Sequence, residues 1–344
     1  MKTKIQSVFG AVALGALSVA PAAVHGADQY VFLKEIPVGD PASWDYLSVD
    51  PAARRLYVSH GNTAAVIDLD KEVVVGTITN TPGIHGVAIA AEFGHGFTSN
   101  GRENKANMVD LKTLEVLKKI ETGQNPDGML YDPGKKEVYL FNGRSSSATV
   151  INAQSGDVVA TVPLDGKPEF GTSDPAAGRV YDNLEDKSQV VSIDTSKHEV
   201  VDRWPTAPGE EPSGMALDAE HHRIFSGCGN KTMVMLDATT GKVVSSVPIG
   251  DGVDACAFDP GSQLAFASCG DGTVTIAHED APDKLTVVQT LTTQPRARTM
   301  TIDPTTHKIY LATAKYGPAA EGQRRPPALP GTFHIIVYGP AGAK

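Results

Sequence analysis

Positive charge and cysteine are both scarce in this chain, and each shortage removes a class of function. Lysine and arginine number 30 against 40 acids, a formal net charge of −10, and no run of five basic residues occurs. An acidic surface repels phosphate backbones, so a nucleic-acid partner is not expected. Only three cysteines are present, Cys228, Cys256 and Cys269. They allow at most one intramolecular disulfide, Cys256–Cys269 or Cys228–Cys269, and packing as thiols is the simpler role. No Cys-x-x-Cys-His motif is present, which excludes covalent haem of the c type. Gly-x-Ser-x-Gly, His-Glu-x-x-His, phosphate-loop and dinucleotide fingerprints are missing too. No segment shows helical periodicity over a useful length.

Long apolar runs are equally rare. The one that exists, Val8 to Ala20, has 13 residues, short of the roughly 20 needed to span a bilayer. It follows the basic residues Lys2 and Lys4 and precedes the small residues around Gly26, the layout of a cleaved secretory signal. The reading is a leader over residues 1–26 and one domain over 27–344. The product is periplasmic or secreted, with no membrane association after cleavage. Losing Lys2 and Lys4 takes the charge from −10 to −12.

What the chain has in abundance is repetition. A short apolar segment ending in Asp, often Asp-Pro, recurs: Leu47–Pro51, Met129–Pro133, Gly171–Pro175, Met215–Asp218, Cys256–Pro260 and Met300–Pro304. A degenerate copy, Val87–Ala91, fills the one gap. The marks fall at 50, 90, 132, 174, 218, 259 and 303, spaced by 40 to 44 residues. Each repeat reads as four short antiparallel strands, by alternation and by Gly/Asn/Asp punctuation. Four strands at this period are the signature of propeller blades, so the fold class is an all-β, seven-bladed β-propeller. The last repeat supplies only three strands, Thr299–Ile302, Lys308–Ala314 and Phe333–Tyr338. The orphan N-terminal strand Tyr30–Ile36 is predicted to complete it and close the ring.

The second strands, Leu56-Tyr57-Val58-Ser59-His60-Gly61, Val138-Tyr139-Leu140-Phe141-Asn142-Gly143 and Ile309-Tyr310-Leu311-Ala312-Thr313, resemble the YVTN repeat. Met235-Leu236-Asp237-Ala238-Thr239-Thr240-Gly241-Lys242-Val243 resembles its Asp-x-x-Thr-Gly-x-Val turn. Over nearly the whole of residues 27–344 the chain is similar to YncE-type YVTN propellers. The resemblance implies the fold and says little about activity, which has to be argued from the site.

In a propeller, the loop leading into the innermost strand opens on the channel. Counting five residues back from each Asp mark selects Asp45, His85, Asp127, Glu169, Ser213, Asp254 and Arg298. Five of these seven carry Asp, Glu or Arg, whereas charged residues make up 20% of the chain. The expectation is a polar ring at the channel mouth that binds a polar ligand or merely holds water. Asp45, His85, Asp127 and Glu169 are the candidate metal ligands. Oxygen donors suit Ca²⁺, and the imidazole admits Zn²⁺ or Mn²⁺.

The loops joining second and third strands add His60, Arg102, Arg144, Asp271 and Lys315 on the same face. Asn and Gly in these loops are turn formers. Arg102, Arg144 and Arg298 are predicted either to clamp a carboxylate or to pair with ring acids. A Pro-rich insertion at 315–332 interrupts blade seven and reads as a lid, a docking arm or an excursion without function. His221-His222 falls in a turn on the opposite face and reads as solvated surface.

Three functions follow. The first is a non-catalytic propeller binding a periplasmic protein partner or a small polar ligand at the channel face. The second is a metal-dependent lactonase- or esterase-type hydrolase, which similar propellers exemplify. The third is an accessory subunit of a periplasmic redox enzyme, since propellers related to this family carry or support quinone and haem cofactors. With no open sheet edge left over, a monomer is expected.

Overall fold

The computed structural model describes residues 29–40, 42–318 and 326–342. The segment read above as a leader and the middle of the blade-seven insertion lie outside these residues. Seven four-stranded antiparallel sheets are arranged as blades. Blade one runs Leu47–Asp50, Arg55–His60, Thr63–Asp68 and Val73–Ile78, from channel to rim. Blades two to six begin at Ile84, Pro126, Pro168, Pro212 and Val253. Blade seven combines Met300–Asp303, Lys308–Thr313 and Phe333–Pro340 with Tyr30–Gly39 as its outermost strand. Ile36 pairs with Ile335 and Tyr30 with Pro340, so the two ends of the chain share one sheet. Among the described residues the only helix is two 3₁₀ turns, Ala91–Phe93 and Glu185–Lys187.

The recurring Asp has a mechanical reason. Asp50 and Asp303 each accept backbone N–H bonds within their own turns, from Ala53 at 2.9 Å and Thr305 at 3.0 Å. Four residues past each mark the backbone turns left-handed, with φ between 53° and 69° at Arg54, Gly94, Lys136, Gly178, His222, Gln263 and His307. The Asp carboxylates then reach across to the next blade. Asp303 meets Arg54 at 2.5 Å, Asp259 meets His307 at 2.7 Å, and Asp132 accepts from Ser173 Oγ at 2.7 Å. The residue that marks the repeat is therefore a clasp between blades, which is why it is silent about function.

The core lies between the blades, because each sheet is buried on both faces. Phe225 of blade five stacks on Phe258 of blade six at 5.0 Å, beside Met233, Met235 and Cys256. Cys228, Cys256 and Cys269 are free and buried, so the packing role holds and neither disulfide forms. Burial pushes the Cys228 and Cys269 thiols up to about 12 and raises Cys256 as well, which leaves them inert.

Near the channel the innermost strands crowd one another. A Cβ on Gly214 would lie 2.5 Å from the backbone nitrogen of Cys256 and 2.6 Å from Ala255 Cα, whereas one on Gly86 would meet only Tyr46, at 3.4 Å or more apart from Met129 farther off. Gly214→Ala is expected to destabilise by about 2–3 kcal/mol, because backbone cannot yield as a side chain can. Gly86→Ala should cost much less. Urea midpoints of the two variants measure the difference, and equal midpoints would refute the crowding argument.

Candidate functional site

The ring selected by counting does converge. His85 Nδ1 sits 2.8 Å from Asp45 Oδ2 and 3.2 Å from Asp127 Oδ1, bringing blades one, two and three together. One donor atom from each of these three residues lies within 4.8 Å of the others. The other ring nitrogen faces away: a Cβ on Gly101 would fall 2.7 Å from His85 Nε2. Nδ1 is thus the atom presented to the acids. A cation bound there would replace its proton. Burial works to lower the His85 pKa, but the Asp45 hydrogen bond and the charges of Asp127 and Glu169 outweigh it and raise it above the usual value.

The rest of the ring lines the same cavity, of about 310 Å³, where Asp45, Asp127, Glu169, Ser213, Asp254 and Arg298 are joined by Lys167, Glu185 and Glu211. Six carboxylates face two basic side chains there, Lys167 and Arg298. Lys167 is spent on Glu169 and Glu185. Arg298 Nε lies 3.2 Å from Asp254 Oδ2, the pairing foreseen for it. Burial raises Asp127 to about 6, with His85 opposing, and Asp254 to about 7, with Arg298 opposing. It also lifts Glu169 to about 8, against the pull of Lys167. These acids hold protons because they are crowded and poorly hydrated, which is the electrostatic condition of a site short of cations.

Two residues that the counting passed over close the channel beneath the acids. Tyr46 of blade one and Phe170 of blade four meet with ring centroids 4.9 Å apart. These blades are not neighbours, so the rings touch across the channel and form a floor. Burial, then the surrounding carboxylates, keep the Tyr46 hydroxyl protonated. The signal was one residue further along each repeat: Tyr46 and Phe170 stand where other repeats carry Gly86, Gly128 and Gly214. Deeper still, Asp182 is fully buried with both carboxylate oxygens unpartnered, and burial raises its pKa well above the ordinary range.

The loop residues divide. Arg102 lines a second cavity of about 310 Å³ with His85, Asp45, Trp44 and Asn125. His60 stacks on Phe333 at 4.8 Å with Nε2 2.6 Å from the Asp40 carbonyl oxygen, a rim contact. Asp271 accepts from the Asp251 and Thr273 backbones at 2.8 and 3.1 Å, holding its own turn. Arg144 and Lys315 are exposed at the rim. From the blade-seven insertion, Tyr316 lies under the Arg296 guanidinium at 4.3 Å and borders a third cavity with Trp44 and Arg298. The described ends of that insertion therefore lean over the mouth of the channel.

Comparison with known proteins agrees with this architecture. No family model matches the chain. A 147-residue stretch is 23% identical to the uncharacterized protein YncE of Escherichia coli strain K12 and 21% identical to YncE of Salmonella typhi. This stretch is distantly similar to YncE. The match takes in 40% of this chain and 42% of YncE, so the chain spans about two fifths of the curated relatives it matches. Solved structures share the fold alone. A Kuenenia stuttgartiensis hydrazine synthase chain superposes with TM-score 0.71 at 15% identity, over 80% of this chain and 94% of that one. The WD40 repeats of RRP9 give 0.74 at 10% identity, over 89% and 97%.

Proposed function

We propose that this is an exported, non-catalytic YVTN-type binding propeller whose floored channel takes a small cationic ligand, with Asp45, His85 and Asp127 as its divalent-cation subsite. The observation that carries this reading is the imbalance of six carboxylates over two basic side chains in one cavity. Crowded, poorly hydrated carboxylates such as Asp127 and Asp254 are costly to ionise, and a bound cation offsets that cost. Two oxygen donors and one imidazole nitrogen suit Zn²⁺ or Mn²⁺ better than Ca²⁺. The YVTN-like strand motifs and the distant likeness to YncE support the family placement. The basic and apolar segments of residues 1–26 support export.

Chelator-treated protein titrated with Zn²⁺, Mn²⁺ and Ca²⁺ tests the proposal. The wild type is expected to bind one equivalent of Zn²⁺ or Mn²⁺ beyond whatever His85→Ala retains at the same free-metal concentration. Binding should release a proton, because Nδ1 gives one up. Stoichiometry and affinity both unchanged from wild type in His85→Ala and in Asp127→Asn would remove the subsite.

The hydrolase reading has one observation in its favour: Asp254, which lines the same cavity as Asp45 and Asp127, is raised to about 7 and has the proton affinity of a general base. Lactone or ester turnover by the Zn²⁺-loaded protein, lost in Asp254→Asn with metal retained, would put that reading first.

A further inference from the structure

The face opposite the channel mouth carries a second cluster that the repeat pattern does not explain. In blades one to six the residue after the third strand's paired segment donates its backbone N–H to the left-handed turn residue. Leu69 donates to Arg54, Leu111 to Gly94, Ala153 to Lys136, Thr195 to Gly178 and Ala238 to His222. In blade six the equivalent residue is Glu279, donating to Gln263. The five sister positions are apolar or small and buried, and Glu279 is as buried as they are, 3% exposed. Both its carboxylate oxygens lack a hydrogen-bond partner.

Those oxygens face Asp218, the clasp of blade five. At several other boundaries the mark Asp meets a basic or hydroxyl group from the next blade, as Asp303 does with Arg54, Asp259 with His307 and Asp132 with Ser173. At this boundary the next blade supplies neutral Gln263 and a second carboxylate. Asp218 itself accepts from the backbone of Glu220 at 3.0 Å and lies 2.5 Å from His221 Nδ1. Donor atoms of Asp218, His221 and Glu279 all fall within 4.8 Å of one another. Arg223, the nearby cation, is committed to Asp237 at 2.9 Å and to the Pro282 carbonyl oxygen. His221 is therefore not the solvated surface residue that its turn position implies.

We infer that Asp218, His221 and Glu279 form a divalent transition-metal site that ties blade five to blade six on the face away from the channel. Two carboxylates and one imidazole suit Zn²⁺ or Mn²⁺, with water completing the shell on the half-exposed His221 side. A metal here would do for this boundary what Arg54 and His307 do for theirs.

The test uses full-length, untagged protein carrying His85→Ala, so that the channel subsite does not contribute. After equilibrium dialysis against micromolar ZnCl₂, one equivalent of zinc is expected by elemental analysis, and the melting temperature should rise by several degrees. Glu279→Gln should weaken zinc binding tenfold or more and erase the rise. His221→Ala, in a solvent-facing turn, should do the same should Glu279→Gln fail to fold. Absence of zinc in the His85→Ala protein would overturn the site, as would zinc retained undiminished by either second variant. In those cases the Glu279 carboxyl is neutralised by a proton instead, and Glu279→Gln would melt no lower than its parent.

Discussion

Removing the strand Tyr30–Gly39 is expected to abolish cooperative folding. This strand is the outermost of blade seven, and its side chains are shared by two cores. Tyr30 packs on Phe266 at 5.1 Å in the boundary between blades six and seven. Ile36 packs with Leu56 and Ile67 at the boundary with blade one. Both residues are 2% exposed. Losing two such side chains removes about 2–5 kcal/mol each. The ladder to Phe333–Pro340 goes as well, leaving an open edge. The sum rivals the roughly 5–15 kcal/mol by which a domain is stable. Circular dichroism melting and size-exclusion chromatography of the protein lacking residues 30–39 read the outcome, with Ile36→Ala as the graded control. A truncated monomer with an unchanged melting temperature would show that the ring does not depend on this closure.

The metal-free protein should also lose stability as pH rises from 5 to 8, the reverse of ordinary acid denaturation. Asp127 and Asp254 have folded-state pKa values of about 6 and about 7, above the usual carboxylate value of 3.8. Between pH 4 and those values the folded chain holds protons that the unfolded chain has released. Stability therefore falls as pH climbs through that window. His85, raised above its ordinary value, acts in the same direction. Each pKa unit corresponds to about 1.4 kcal/mol. One unit for Asp127 and two for Asp254 lie above pH 5, about 4 kcal/mol together and roughly 8 °C in melting temperature for a domain of this size. The Asp127→Asn/Asp254→Asn double variant should make the profile shallower by about 4 kcal/mol, with Glu169, raised to about 8, keeping part of the slope, and Zn²⁺ at pH 8 should raise the wild-type melting temperature. A wild-type profile that is flat from pH 5 to 8 would mean that the two carboxyls ionise freely.

Most of the architecture was legible because its period is written in residues with one structural task. The Asp marks count the blades since each Asp closes the same turn of its repeat, and several also clasp the neighbouring blade. The orphan strand Tyr30–Ile36 was legible because three strands cannot fill a blade. The ring from Asp45 to Arg298 was legible for the same reason, as equivalent positions of equivalent blades face one axis. What was hidden depends on departures from the repeat. Tyr46 and Phe170 close the channel only because two non-neighbouring blades both put a ring where others put glycine. Lys167 reaches the ring from outside the counted position. Glu279 is conspicuous only when the third strands are aligned and the Leu69, Leu111, Ala153, Thr195 and Ala238 positions stand beside it. The pairing of Cys228, Cys256 and Cys269 was undecidable from spacing, because register places sulfurs near one another without setting their geometry.

The floor made by Tyr46 and Phe170 turns the propeller axis into a cul-de-sac. On the mouth side, Trp44, Arg298 and Tyr316 border the cavity next to the acids, and a ligand held there would come and go on that side. Arrival and departure are then the same doorway. A partner seated on that doorway would imprison the occupant, and its residence time would become the partner's own.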